Sequence, residues 1–141
     1  MTFAGISYLA VVAAAVAAWL VSAAWYMSLG RIYQAALGKS PEQCKEEMKK
    51  PGAFLPFVYA FIADIIIAWM IAGVLGHLGA GQVTFGNGAI SGAFLWFGLI
   101  LTTMVVNFSF SGRDKRLLLI DAGNWLIVLI VIGAVVGAIG V

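Results

Sequence analysis

Long apolar runs separated by short polar stretches set the pattern of this chain. Four runs, at about 3–28, 54–76, 87–110 and 117–139, each reach the roughly 20 residues needed to cross a bilayer's hydrocarbon core. They are too long for strands and lack period-two alternation. Lipid offers no partner to backbone N–H and C=O groups, so each run predicts a helix that satisfies its own. The expected fold is an all-α integral membrane protein, a single four-transmembrane-helix bundle over 1–141. The first run does not read as a signal peptide: it is too long and no basic residue precedes it.

Composition agrees with the pattern. The chain is 63% hydrophobic and 10% charged, with mean hydropathy +1.05. Soluble domains are nearer half apolar and a quarter charged, and a small globule cannot hide such an excess. Lipid is the expected solvent and partner; nucleic acid is not.

The net charge of +2 says less than where the charges sit. Connection 29–53 carries Arg31, Lys39, Lys45, Lys49 and Lys50, and connection 111–116 carries Arg113, Lys115 and Arg116. Connection 77–86 has neither Lys nor Arg. The positive-inside rule then puts the first and third connections in the cytoplasm and both termini outside, in the cell (inner, cytoplasmic) membrane. Within the first connection, Ser40 reads as an N-cap, Pro41 as the first helical residue and Gln43 as the partner in a capping box. Pro51-Gly52 ends that short cytoplasmic helix. Being marginal alone in water, it is expected to rest on the bundle or the headgroups. The stretches "WYMSLGR" (25–31) and "NFSFSGR" (107–113) both close a span with Gly-Arg, either by chance or as shared helix-stop chemistry.

Ionisable groups inside a membrane are costly and mark candidate sites. Asp64 falls in mid-span with no Lys, Arg or His at matching depth in another run. It is either a proton- or cation-responsive site, or a neutral carboxyl bonded to a hydroxyl or carbonyl or turned to a subunit interface. Asp121 lies in the second turn of the fourth run. Asn107 and Asp121 flank the basic knot Arg113–Arg116 symmetrically, so a helical hairpin would bring them to one depth, about 5–8 Å inside the boundary. Asn124 and Trp125 follow Asp121 at i+3 and i+4 on neighbouring parts of one face. The expected polar cluster is Asn107, Asp121, Asn124 and Arg113 or Arg116, closed by Tyr26 and Ser28, with Thr102 and Thr103 deeper. Two readings are open: interhelical glue, or a ligand, ion or proton site.

The other polar residues add less. A lone His77 and a lone Cys44 supply neither a disulfide nor a metal set, so no metal and no cofactor is expected. His77 reads as snorkelling or capping its helix, and Cys44 as a free thiol. Trp19, Trp69 and Trp96 lie deeper than an aromatic belt and read as packing residues, with a lipid, quinone or pigment contact as the alternative. Gly88 and Gly92, and Gly133 and Gly137, form Gly-x-x-x-Gly pairs that let backbones approach closely, within the bundle or between copies.

The stretches Trp25-Tyr26, Asn107-Phe108-Ser109-Phe110-Ser111-Gly112-Arg113 and Leu119-Ile120-Asp121-Ala122-Gly123-Asn124-Trp125 carry a resemblance over nearly the whole chain. It resembles the family catalogued as domain of unknown function 1761, small four-span membrane proteins of bacteria and fungi. Ser111 stands where that pattern has an acid and Asn124 where it has an aromatic. The resemblance implies the fold and the choice of residues, and no activity. Three functions follow as expectations: a non-catalytic oligomeric or accessory membrane subunit; a small homo-oligomeric transporter or channel using Asp64 and the Asn107/Asp121 cluster; and, least favoured, an interfacial lipid-modifying enzyme.

Overall fold

The computed structural model describes residues 2–3, 5–79 and 81–141. A two-residue hairpin, β1 (Thr2–Phe3) against β2 (Ile6–Ser7), leads into α1 (Tyr8–Ala36). Ser7 is extended and its side chain accepts from the Ala10 amide, so the first helix begins later than the apolar run. It also ends later. Gly30 lies inside the helix, at a cost of only about 1 kcal/mol, and the chain stays helical through Arg31, Tyr33 and Gln34 to Ala36. The Gly-Arg stop expected at 30–31 is therefore absent. At the second Gly-Arg the stop is real, with Gly112 left-handed at φ 63° and its amide on the Phe108 carbonyl.

Helix α2 (Pro41–Met48) carries a complete capping box: the Ser40 side chain accepts from the Gln43 amide and the Gln43 side chain from the Ser40 amide. Salt bridges join Lys39 to Glu47 and Lys49 to Glu46. Hydrogen bonding to Lys39 holds the exposed Glu47 carboxyl below the usual glutamate range, and the same bond holds Lys39 above the usual lysine range.

The second span is α3 (Leu55–His77). The third, Phe85–Ser111, consists of α4 (Phe85–Leu95), a π-helical segment (Trp96–Leu101) and α5 (Thr102–Ser111). The fourth is α6 (Lys115–Ile139), capped by Asp114, whose carboxylate accepts from the Arg116 amide and guanidinium. That pairing lowers the Asp114 carboxyl below its usual range. All four spans are long and apolar enough to cross a membrane, and the protein is a multi-pass membrane protein.

Helix α6 is the hub. Half of its most apolar stretch is buried inside the bundle, against 28% for α1 and for α3 and 6% for the third span. The tightest seam is α4 against α6. A Cβ built on Gly88 would lie 2.6 Å from the Gly133 carbonyl carbon, and one on Gly92 equally close to that of Leu129. Gly137 faces the Thr84 carbonyl at 2.7 Å in the same sense. Of the two uses expected for the Gly-x-x-x-Gly pairs, this is packing within one chain: backbones approach where nothing but hydrogen projects between them. The core around α6 is built from Ala14 and Ala18 of α1, Ala68, Ile71 and Leu75 of α3, and Val128 and Ile132.

Candidate functional site

Five consecutive residues of α6, Ile120 to Asn124, receive side chains from two other spans. The Trp25 indole N–H donates to the Ile120 carbonyl at 3.0 Å, and the Tyr26 hydroxyl donates to Asp121 Oδ1 at 2.5 Å. The Trp96 indole N–H donates to the Ala122 carbonyl at 2.8 Å. Gly123 lies beneath the Trp25 ring, where a Cβ would come within 2.8 Å of it. The Ser22 hydroxyl donates to Asn124 Oδ1 at 2.7 Å.

Helical spacing explains the arrangement. Ser22 and Tyr26 are one turn apart on α1, Asp121 and Asn124 one turn apart on α6, and the helices run antiparallel. Tyr33, two turns beyond Tyr26, rests edge-on against it with centroids 5.3 Å apart. Tyr33 and Arg113 both stand within electrostatic reach of Asp121. The result is a ladder of polar rungs, Ser22–Asn124 and Tyr26–Asp121, that opens towards Tyr33 and Arg113 at the basic end. Asn124 is only 5% exposed, so Ser22 satisfies an amide that would otherwise be desolvated without a partner.

Asn107 stands apart. It is exposed and its side chain makes no hydrogen bond among the described residues, so the meeting with Asp121 expected from equal depth does not occur. Equal depth does not set the direction in which a residue points. Continuing the α4 face of Gly88 and Gly92 along a regular helix would bring positions 99, 103, 106 and 110 inward. The half-buried residues beyond Trp96 are Ile100, Leu101, Met104 and Phe108, and Asn107 belongs to neither set. Phe108 takes the inner position, and Asn107 lies about 100° round the helix from it. Arg113 packs over the Phe108 ring, 4.5 Å from its centroid.

Ser28 bonds its own helix at the Ala24 carbonyl, and Thr102 and Thr103 bond back to Gly98 and Leu99. None of the three joins the ladder. Arg116 is held by Asp114. The His77 ring N–H at Nδ1 donates to the Gly73 carbonyl at 2.7 Å, at the end of α3. Trp19 donates to the Phe57 carbonyl at 3.0 Å and stands edge-on to Phe61, joining α1 to α3. Trp69 is 39% exposed. Cys44 is a free thiol.

Asp64 is the separate case. It is 2% exposed and heads the inward stripe of α3, followed by Ala68, Ile71, Ala72 and Leu75. No hydrogen bond or ion pair reaches its carboxyl among the described residues.

Sequence reasoning missed Ser22, Tyr33 and the donor role of Trp25. A signal was there: Ser22, Trp25, Tyr26 and Tyr33 recur at i, i+3, i+4 and i+11, a polar and aromatic stripe on one face of α1. The π-turn had no comparable mark. Chemically, the ladder can bind two helices together, and its open end presents a carboxylate, two phenols and a guanidinium side by side.

No curated protein and no solved structure matches the chain. The sequence pattern of the ladder, its Trp-Tyr pair and its Leu-Ile-Asp-Ala-Gly stretch fall within a family-model match over residues 9–137, and the chain belongs to that family, described as protein of unknown function (DUF1761).

Proposed function

We propose that the protein is a non-catalytic membrane component, working as a homo-oligomer or as an accessory subunit of a larger membrane complex. The observation that carries this reading is the lopsided burial of the bundle. The polar groups of α6 are turned inward onto α1, while the third span buries only 6% of its most apolar stretch. That open flank also carries Asn107, an amide without a partner among the described residues, and a transmembrane amide is stabilised when a neighbouring helix bonds it. We place the protein in the cell's inner membrane with both termini outside, because both Lys- and Arg-bearing connections belong on the cytoplasmic side. Extraction from native membranes in mild detergent, with cross-linking and mass determination, tests the reading. It expects a particle heavier than one 14.9 kDa chain; a lone monomer with nothing co-purifying would overturn it.

Asp64 favours a second reading, a small transporter or channel. A carboxyl buried in mid-span without a bonded partner suits reversible binding of a proton or cation. Reconstituted liposomes decide the point: Asp64→Asn and Asp121→Asn should each change a measurable ion or proton flux. Unchanged flux in both variants removes the idea. An interfacial enzyme built on Asn107, Arg113 and Asp121 has less support, because Asn107 stands on the outer flank.

A further inference from the structure

The connection between the first two spans forms a cleft that the polar ladder does not use. Between the last turns of α1 and helix α2 lies an open groove of about 900 Å³. Arg31, Lys39, Lys45 and Lys49 line it together with the apolar Ala35 and Met48, and no carboxylate is among its lining residues. Two of the four cations are paired, Lys39 with Glu47 and Lys49 with Glu46. Arg31 and Lys45 have no ion pair among the described residues. Buried charge is not the issue here, since both are exposed. The issue is what anion such a groove would gather.

Its position in the bundle narrows the answer. Arg31 lies in the last turns of a membrane-crossing helix, so the groove opens at the level where the chain leaves the hydrocarbon and meets the headgroups. Helix α2 has eight residues, too few to be stable alone in water, and its lining residues give it an interfacial character. A guanidinium offers paired donors that match phosphate oxygens, and an ammonium adds a point charge. Ala35 and Met48 offer nothing to a small hydrated anion, whereas they suit the glycerol and upper acyl carbons of a lipid. Basic pockets at the cytoplasmic ends of spans bind anionic headgroups on the same grounds.

We propose that the groove between α1 and α2 is a binding site for an anionic phospholipid, with Arg31 and Lys45 on the headgroup phosphate and Ala35 and Met48 beneath its glycerol end. The site is independent of the ladder and of the subunit role, and it rests on the membrane orientation proposed above.

Native mass spectrometry of the full chain in detergent tests it, with phosphatidylglycerol and phosphatidylcholine added at equal concentration. The expected result is about ten-fold tighter binding of phosphatidylglycerol. The double variant Arg31→Gln/Lys45→Gln should lose that preference. Lys50→Gln/Lys115→Gln removes the same charge from residues that do not line the groove, and should keep it. All these positions are exposed, and an unchanged far-ultraviolet dichroism spectrum confirms that the variants fold. Inorganic phosphate in millimolar excess should not displace the lipid. Equal binding of the two lipids, retained preference in Arg31→Gln/Lys45→Gln, equal loss in the control variant, or displacement by phosphate would each overturn the proposal.

Discussion

Replacing Gly88 by alanine probes the seam on which the third span depends. The added Cβ would lie 2.6 Å from the Gly133 carbonyl carbon and 3.3 Å from the Gly137 Cα. Carbon atoms prefer separations of about 3.5–4.0 Å, so α4 and α6 must part locally by about 1 Å. Backbone atoms on both sides cannot rotate away as a side chain could. A gap of about 0.5–1 Å forfeits a quarter to a half of each dispersion contact along the seam, and overfilled packing typically costs about 1–3 kcal/mol. Alanine returns at most about 1 kcal/mol as the better helix former, so the net effect is destabilising. Gly86 is the control: it lies in the same helix, and a Cβ there meets nothing within 4 Å. Both variants are to be unfolded by sodium dodecyl sulfate from mild-detergent micelles and followed by circular dichroism. Gly88→Ala should unfold at lower dodecyl sulfate fraction than the parent, and Gly86→Ala at an equal or higher one. If the Gly88 variant matches the Gly86 variant, the α4 and α6 backbones do not meet so closely at Gly88.

Gly123→Ala should displace the Trp25 indole, since its Cβ would come within 2.8 Å of a ring that its N–H already anchors to the Ile120 carbonyl. A loss of about 1–3 kcal/mol is expected in the same unfolding assay, and no loss would show that the ring is free to move. Ser22→Ala leaves the buried Asn124 carbonyl oxygen without its donor and should cost about 0.6–2 kcal/mol, whereas Ser28→Ala, whose hydroxyl bonds only its own helix, should leave the midpoint in place. The Lys39–Glu47 tie predicts a pH window for α2. Glu47 is lowered, so its contribution is present above the unfolded glutamate value and lost as pH falls through a still lower folded value. Lys39 is raised, so its contribution is present below the unfolded lysine value and lost as pH rises through a higher folded one. A spin label on Cys44 should therefore stay restrained from about pH 5 to pH 10 and loosen on both sides, and Lys39→Gln should abolish the dependence; a label with the same mobility at all pH values refutes the tie.

The spans were legible because lipid demands long apolar helices, and residues 54–76 and 117–139 differ from Leu55–His77 and Lys115–Ile139 by a residue or two. The first span misled because a glycine within a helix costs little and its polar continuation, Arg31 to Gln34, carries no breaker. Asp121, Asn124 and Tyr26 could be chosen from sequence since depth along a helix follows from counting residues. Which way a residue points follows from the phase of its helix and not from its depth, and Asn107 lies about 100° round the helix from the inner Phe108. Ser22 was legible one turn from Tyr26, once α1 is known to face α6.

The central claim is that the polar side chains of α6 hold it to α1, and the Tyr26–Asp121 rung tests it most directly. Unfolding of the parent, Tyr26→Phe, Asp121→Ala and the double variant in mixed micelles yields the coupling between the two residues. The account predicts a favourable coupling of about 0.6–2 kcal/mol, as found for interhelical bonds in membranes. Strictly additive losses, with no coupling, would contradict it and leave the carboxylate to some other partner.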